Sequence, residues 1–122
     1  MPNSVPKSPP GLSARARRYW RDLHETYEFE AHEAPLVEEA VHTVSVIDGL
    51  RARVRAEGEM VRGPGLATVV NPALKELRQQ QMTLARLQAV LRLPAGEPGH
   101  EQRGARQPRR TVRGVYGIRG VV

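Results

Sequence analysis

The chain has 122 residues, with 19 Lys and Arg against 13 Asp and Glu, a formal charge of +6 and a pI near 10.7. That length accommodates one small domain with tails, and a chain with no cysteine has no disulfide scaffold, thiol nucleophile or cysteine-ligated zinc. No apolar run approaches the roughly 18 residues of a membrane span, and the opening MPNSVPKSPPGLS has no signal-type hydrophobic stretch, so the expectation is a soluble intracellular protein without membrane contact whose first candidate partners are polyanions.

Charge is unevenly spread. Residues 1 to 18 carry Lys7, Arg15, Arg17 and Arg18 with no acid, whereas the stretch from Asp22 to Glu39 holds seven acids and no Lys or Arg. Residues 95 to 122 carry six arginines against Glu97 and Glu101. Basic ends therefore flank an acidic middle.

Residues 1 to 11 contain Pro2, Pro6, Pro9, Pro10 and Gly11 and read as a disordered basic arm. From Ser13, a good helix cap, Leu12, Ala16, Trp20, Leu23 and Tyr27 recur at helical spacing and predict a short amphipathic helix. A second helix opens at Pro35 and runs to Glu57, where Gly58 stops it. Its apolar residues, Leu36, Val37, Ala40, Val41, Val44, Ile47, Leu50 and Val54, cover about half the helix circumference, more than one partner helix needs. The spacing therefore predicts a further covering surface.

Asn71-Pro72 caps and opens a third helix, which continues to about Arg92 before Pro94 and Gly96. Leu77, Leu84, Leu87, Val90 and Leu91 form its apolar stripe, with Lys75, Arg78 and Arg86 on the other side. Helices two and three match in length as an antiparallel hairpin. The connection GEMVRGPGLATVV is too long for a tight turn, and Val69-Val70 suits extended backbone. Residues 94 to 122 turn to Gly, Pro, Arg and Gln and read as a flexible tail. The expected fold is all-α: a short first helix and a long antiparallel helical hairpin over residues 12 to 93, with disordered basic tails.

No motif for catalysis stands out. His24, Glu28 and His32 are four apart, but HETYE is not the HExxH of a zinc protease and the spacing alone is unspecific, so a solvated polar face is the favoured reading. Gly63 and Gly65 lack the Lys-Ser/Thr of a phosphate loop. Neither an enzyme activity, a metal nor a cofactor is expected. The aromatic residues cluster between Tyr19 and Phe29, apart from Tyr116, which does not make a stacking platform for RNA.

Three basic groups compete as contacts to phosphate. The acid-free cluster of Lys7, Arg15, Arg17 and Arg18 is one, and the tail arginines Arg103, Arg106, Arg109, Arg110 and Arg113 are another. The stripe of Lys75, Arg78 and Arg86 is as well explained as an ordinary solvated face. Arg51, Arg53 and Arg55 are accounted for by the negative end of helix two.

This order of features resembles the small terminase subunit family of tailed bacteriophages. The likeness runs over about residues 10 to 95: the Pro-rich start, RYWRDL with Trp20, RARVRAEG with Gly58, and NPALKELRQQQMTLARLQAVLRL, in which Asn71-Pro72-Ala73-Leu74 is the most specific piece. Where members carry a Leu-Gly-Leu-Thr-Pro-like ending, this chain has Leu91-Arg92-Leu93-Pro94-Ala95-Gly96. The resemblance implies a non-catalytic partner of the large terminase subunit, acting in the host cytoplasm. It further implies a homo-oligomeric ring, built through helical hairpins, that recognises double-stranded viral DNA. Val37, Val41, Val44, Ile47, Leu77, Leu84, Leu87 and Leu91 are then the candidate oligomerisation residues, since a thin core of about 80 residues without disulfides or metal invites assembly. A small dimeric DNA-binding regulator and an RNA-associated structural protein are the alternative readings.

Overall fold

Ser13 begins the first helix by making three bonds at once. Its hydroxyl accepts from the Ala16 N–H at 3.2 Å and donates to Asp48 Oδ2 at 2.7 Å, while its own N–H donates to Ser45 Oγ at 2.9 Å. Cap formation and docking are thus one event. In the computed structural model, which describes residues 5–94 and 104–109, this helix is α1, Ala14–Thr26. Its buried stripe is Ala16, Trp20 and Leu23.

A single 3₁₀ turn, Ala31–Glu33, leads into α2, Ala34–Glu57, whose first turn holds Pro35. Gly58 ends α2 at φ +92°, with its N–H on the Val54 carbonyl at 2.7 Å. Two three-residue strands follow, β1 (Met60–Arg62) and β2 (Thr68–Val70), paired antiparallel with Met60 opposite Val70 and Arg62 opposite Thr68. The tip is dictated by its residues. Pro64 and Gly65 (φ 69°, ψ 19°) occupy the central positions of a type II turn closed by the Leu66 N–H on the Gly63 carbonyl at 3.2 Å.

Helix α3, Pro72–Val90, is capped by Asn71, whose Oδ1 accepts from the Ala73 N–H at 2.9 Å. The Asn71 amide nitrogen donates to Gly58 O at 2.9 Å and to Glu57 Oε1 at 3.1 Å, so one buried side chain ties the start of α3 to the end of α2. At the other end Arg92 takes φ +59° and the Leu93 N–H returns to Gln88 O at 2.9 Å. That closure turns Leu93 back into the interior.

The main core joins Leu12, Ala16, Trp20 and Leu23 to Val37, Ala40, Val41 and Val44 and to Leu91 and Leu93. Tyr19, Tyr27, Phe29, Leu36, Leu84 and Leu87 pack against it half-buried. Among the described residues no helix is long and apolar enough to cross a membrane.

Four expectations change. The fold is mostly helical but not purely so, because the α2–α3 connection forms a β-hairpin. The arm is not wholly loose: Val5 packs on the core and the Trp20 Nε1–H donates to Pro6 O at 2.7 Å. Residues 104–109 return to the helices through Arg106 and Arg109, so this part of the tail is docked. Finally, the wide apolar face of α2 is covered within the one chain, by α1 on one side and α3 on the other. Val37, Val41, Val44, Ile47, Leu77 and Leu91 are therefore interior residues, with Leu84 and Leu87 half-buried.

Candidate nucleic-acid interface

The start of α1 gathers the first basic group. Arg15 is bound through Nε and Nη2 to Asp48 Oδ1, both at 2.8 Å, and Arg17 Nη1 donates to Leu12 O at 2.6 Å. Lys7, Arg18 and Arg21 are exposed. Burial pushes the Asp48 carboxyl up, but hydrogen bonds from Arg15 and Ser13 and the charges of Arg15 and Arg51 hold it below its ordinary value. Asp48 stays ionised and fixes the end of α1 against α2.

The placement of charge on α1 runs against its dipole. Arg15, Arg17 and Arg18 occupy the first turns, and Asp22 and Glu25 the last ones. A helix prefers the reverse, by roughly 0.3–1 kcal/mol per charge near an end. The dipole therefore does not account for these arginines; the ion pair with Asp48 accounts for Arg15 and the bond to Leu12 O engages Arg17, and neither explains the exposed Arg18.

Arg51 and Arg55 extend the same side. They follow Asp48 at intervals of three and four residues and share its flank of α2. Because α1 begins at Asp48, nothing from α1 covers that flank farther on, and both arginines are exposed. In the sequence they are explained by the negative end of α2 alone; the proximity to Arg15 comes from tertiary packing. Arg53 points elsewhere and pairs with Glu57 at 3.2 Å. Lys75, Arg78 and Arg86 are exposed on α3.

The tail arginines divide. Arg106 is only 7 % exposed. Its Nε donates to Leu91 O at 2.8 Å, Nη1 to Glu28 O at 2.7 Å, and Nη2 to the Glu33 carboxylate, while the guanidinium lies 4.6 Å from the Phe29 ring centre. A backbone bond from the Glu30 N–H, outweighing burial, and then Arg106 keep the Glu33 carboxyl below its ordinary range. A buried guanidinium whose three nitrogens each donate inside the protein does not face a phosphate, so Arg106 leaves the candidate set and becomes a clasp. Arg109 likewise binds Tyr27 O at 3.0 Å and approaches Glu28 at 3.8 Å. Arg103, Arg110 and Arg113 lie outside the described residues.

The histidine face does not form. Helix α1 stops at Thr26, leaving Glu28 and His32 off it, and His24 stacks on Trp20 and Phe29 with ring centres 4.2 and 5.6 Å away. Burial and then the charge of Arg109 push the His24 pKa down. Among the described residues its Nε2 has no hydrogen-bond partner, and the ring borders a cleft of about 560 Å³ lined by Pro6, Phe29, Glu30 and Arg109. No group of three His, Asp or Glu among the described residues is placed to hold a metal ion.

No protein-family model matches the chain, and neither a curated protein nor a solved structure is significantly similar to it.

Proposed function

We propose that the chain is a non-catalytic, ring-forming adaptor for DNA packaging, of the kind that small terminase subunits provide, working with a large subunit that owns the ATPase and nuclease in the host cytoplasm. The observation that carries the reading is the set of exposed cations Lys7, Arg17 and Arg18 at α1 and Arg51 and Arg55 on the adjoining part of α2, beside the Asp48-paired Arg15, of which those in the first turns of α1 stand against the helix dipole. The order of motifs, with RYWRDL on α1 and NPAL opening α3, supports it alongside. Repetition of these cations around a ring adds weak phosphate contacts through effective concentration.

Assembly then has to use side chains that the single chain leaves outside. The large apolar ones on the helices are Val46, Met82 and Val90, at 46, 51 and 62 % exposure. Val46 lies on the outer side of α2, and Met82 and Val90 on that of α3, so neighbouring α2–α3 pairs meet through them.

Native mass spectrometry of the full chain, alone and with the large subunit, tests this. The expected result is a closed multimer that binds duplex DNA with a steep salt dependence, each lost phosphate contact lowering the slope by about 0.9. Val46→Asp dissociates it. A stable dimer bound to a palindromic site, or a preference for RNA over duplex DNA at equal salt, overturns the proposal.

A further inference from the structure

The β-hairpin between α2 and α3 makes no extensive contact with any helix; its strands pack on each other. Three residues per strand at about 3.3 Å each carry the tip roughly 10 Å from its base. At that tip stands Leu66, 74 % exposed, with Pro64 also exposed beside it. Leu66 sits at φ +65°, in the left-handed region that non-glycine residues avoid. Just below, Gly63 lies close against β2: a Cβ there would meet Val69 Cγ2 at 2.9 Å, so Val69 would have to shift. The Leu66 N–H closes the turn, which any residue could do, so the turn explains the backbone but not the choice of a solvent-exposed leucine that serves no core, and backbone strain of this sort gathers where a protein meets its ligand.

The surroundings choose the ligand. Arg62 is exposed at the end of β1, and Arg51, Arg55, Lys75 and Arg78 are exposed on the helix halves from which the hairpin springs, where they outnumber the exposed Glu57, Glu59 and Glu76. A narrow ribbon tipped by proline and leucine and collared by cations has the chemistry of a minor-groove wedge, in which an apolar side chain enters a base step while the cations hold the flanking phosphates. We propose that this hairpin inserts Leu66 into the minor groove of duplex DNA, unstacks one base step and kinks the duplex towards its major groove, while the cations at the hairpin's base hold the flanking phosphates. The inference rests on the DNA-binding reading above and adds to it a preference for deformable steps.

The test uses the full chain and Leu66→Asn, which keeps a residue tolerant of positive φ but removes the wedge. Two duplexes of one sequence are compared at equal salt, one fully paired and one with a central mismatch, each carrying 2-aminopurine at the central step. The wild-type chain is expected to raise the 2-aminopurine fluorescence of the paired duplex and to bind the mismatched one about tenfold more tightly, because the mismatch has already met part of the unstacking cost. Leu66→Asn is expected to bind both equally with no fluorescence change. If the wild-type chain binds both duplexes alike without unstacking, the wedge is overturned while the DNA reading stands. If it binds neither, both fail. If Leu66→Asn alters only the mass of the assembly, the tip contacts a second copy and the wedge is likewise overturned.

Discussion

The two ends of the α2–α3 pair are built on different principles. At one end α1 lies over α2, Leu91 and Leu93 close the base, and Arg106 crosses from the tail to bind Glu33. At the other, beyond Asp48, two helices pack on each other alone, with Ile47, Ala73 and Leu77 buried between them and a slender β-hairpin at the end. The first end contains the acidic stretch and the larger core; the second carries outward cations. Burial fixes one end, and the other is left thin enough to present charge, which is the division expected of a small domain that binds a polyanion without a pocket.

The largest effects should fall at the first end. Arg106→Ala strands the buried Glu33 carboxylate and should cost about 3–5 kcal/mol in chemical denaturation. Replacing both partners, Arg106→Met with Glu33→Leu, should restore most of that loss, because an apolar pair leaves no uncompensated charge. Equal damage from the single and double variants would show that packing of the Arg106 stem, not its charge, holds the tail. Trp20→Ala should be comparably severe, at about 3–5 kcal/mol, since it empties the centre of the α1 contact and frees Pro6.

At the second end the effects should be smaller and local. Asn71→Ala removes a helix cap and leaves the Gly58 carbonyl without its donor, for roughly 1–3 kcal/mol together. Amide exchange should quicken in the β-hairpin and the first turn of α3 but not in α1. Uniform quickening would mean that the two ends unfold as one unit. Gly63→Ala should change global stability by less than about 1 kcal/mol while abolishing protection within the β-hairpin, because the new Cβ crowds only the Val69 methyls and otherwise makes an ordinary contact with Ala67 O, both inside the hairpin.

This contrast also explains which features were readable in advance. Helix ends were, because caps are local: Ser13, Gly58 and Asn71-Pro72 stand where the residue types require. The β-hairpin was not, since three-residue strands are too short to show a period and Gly63-Pro64-Gly65 reads as loop. Nor was the clasp, whose partners Arg106 and Glu33 are 73 residues apart and sit in stretches that look like a basic tail and a solvated acidic face. Of the candidate interface, Lys7, Arg15, Arg17 and Arg18 were evident as an acid-free cluster. Arg51 and Arg55 joined it only through the docking of Ser13 on Asp48. The apolar breadth of α2 was read correctly, but its cover proved to be α1 and α3 rather than another copy.

The mildest prediction concerns pH, and it again separates the ends, because His24 belongs to the first. Its folded pKa lies below the ordinary value of 6.5, from burial beside Trp20 and then from Arg109. The unfolded chain therefore binds the proton more readily, and stability is full above the unfolded pKa and declines as pH falls through the folded one. Glu33 and Asp48 are also depressed, from 4.5 and 3.8, so their contribution is lost only at lower pH and does not overlap the histidine step. Denaturation midpoints taken between about pH 7.5 and 5.5 should fall for the wild-type chain and stay level in His24→Phe. The ring stack on Trp20 and Phe29 is kept by phenylalanine, so a persisting slope in that variant would show that the titration does not belong to His24. The slope should also be invisible to exchange in the β-hairpin, because neither Arg109 nor Trp20 reaches that end of the molecule.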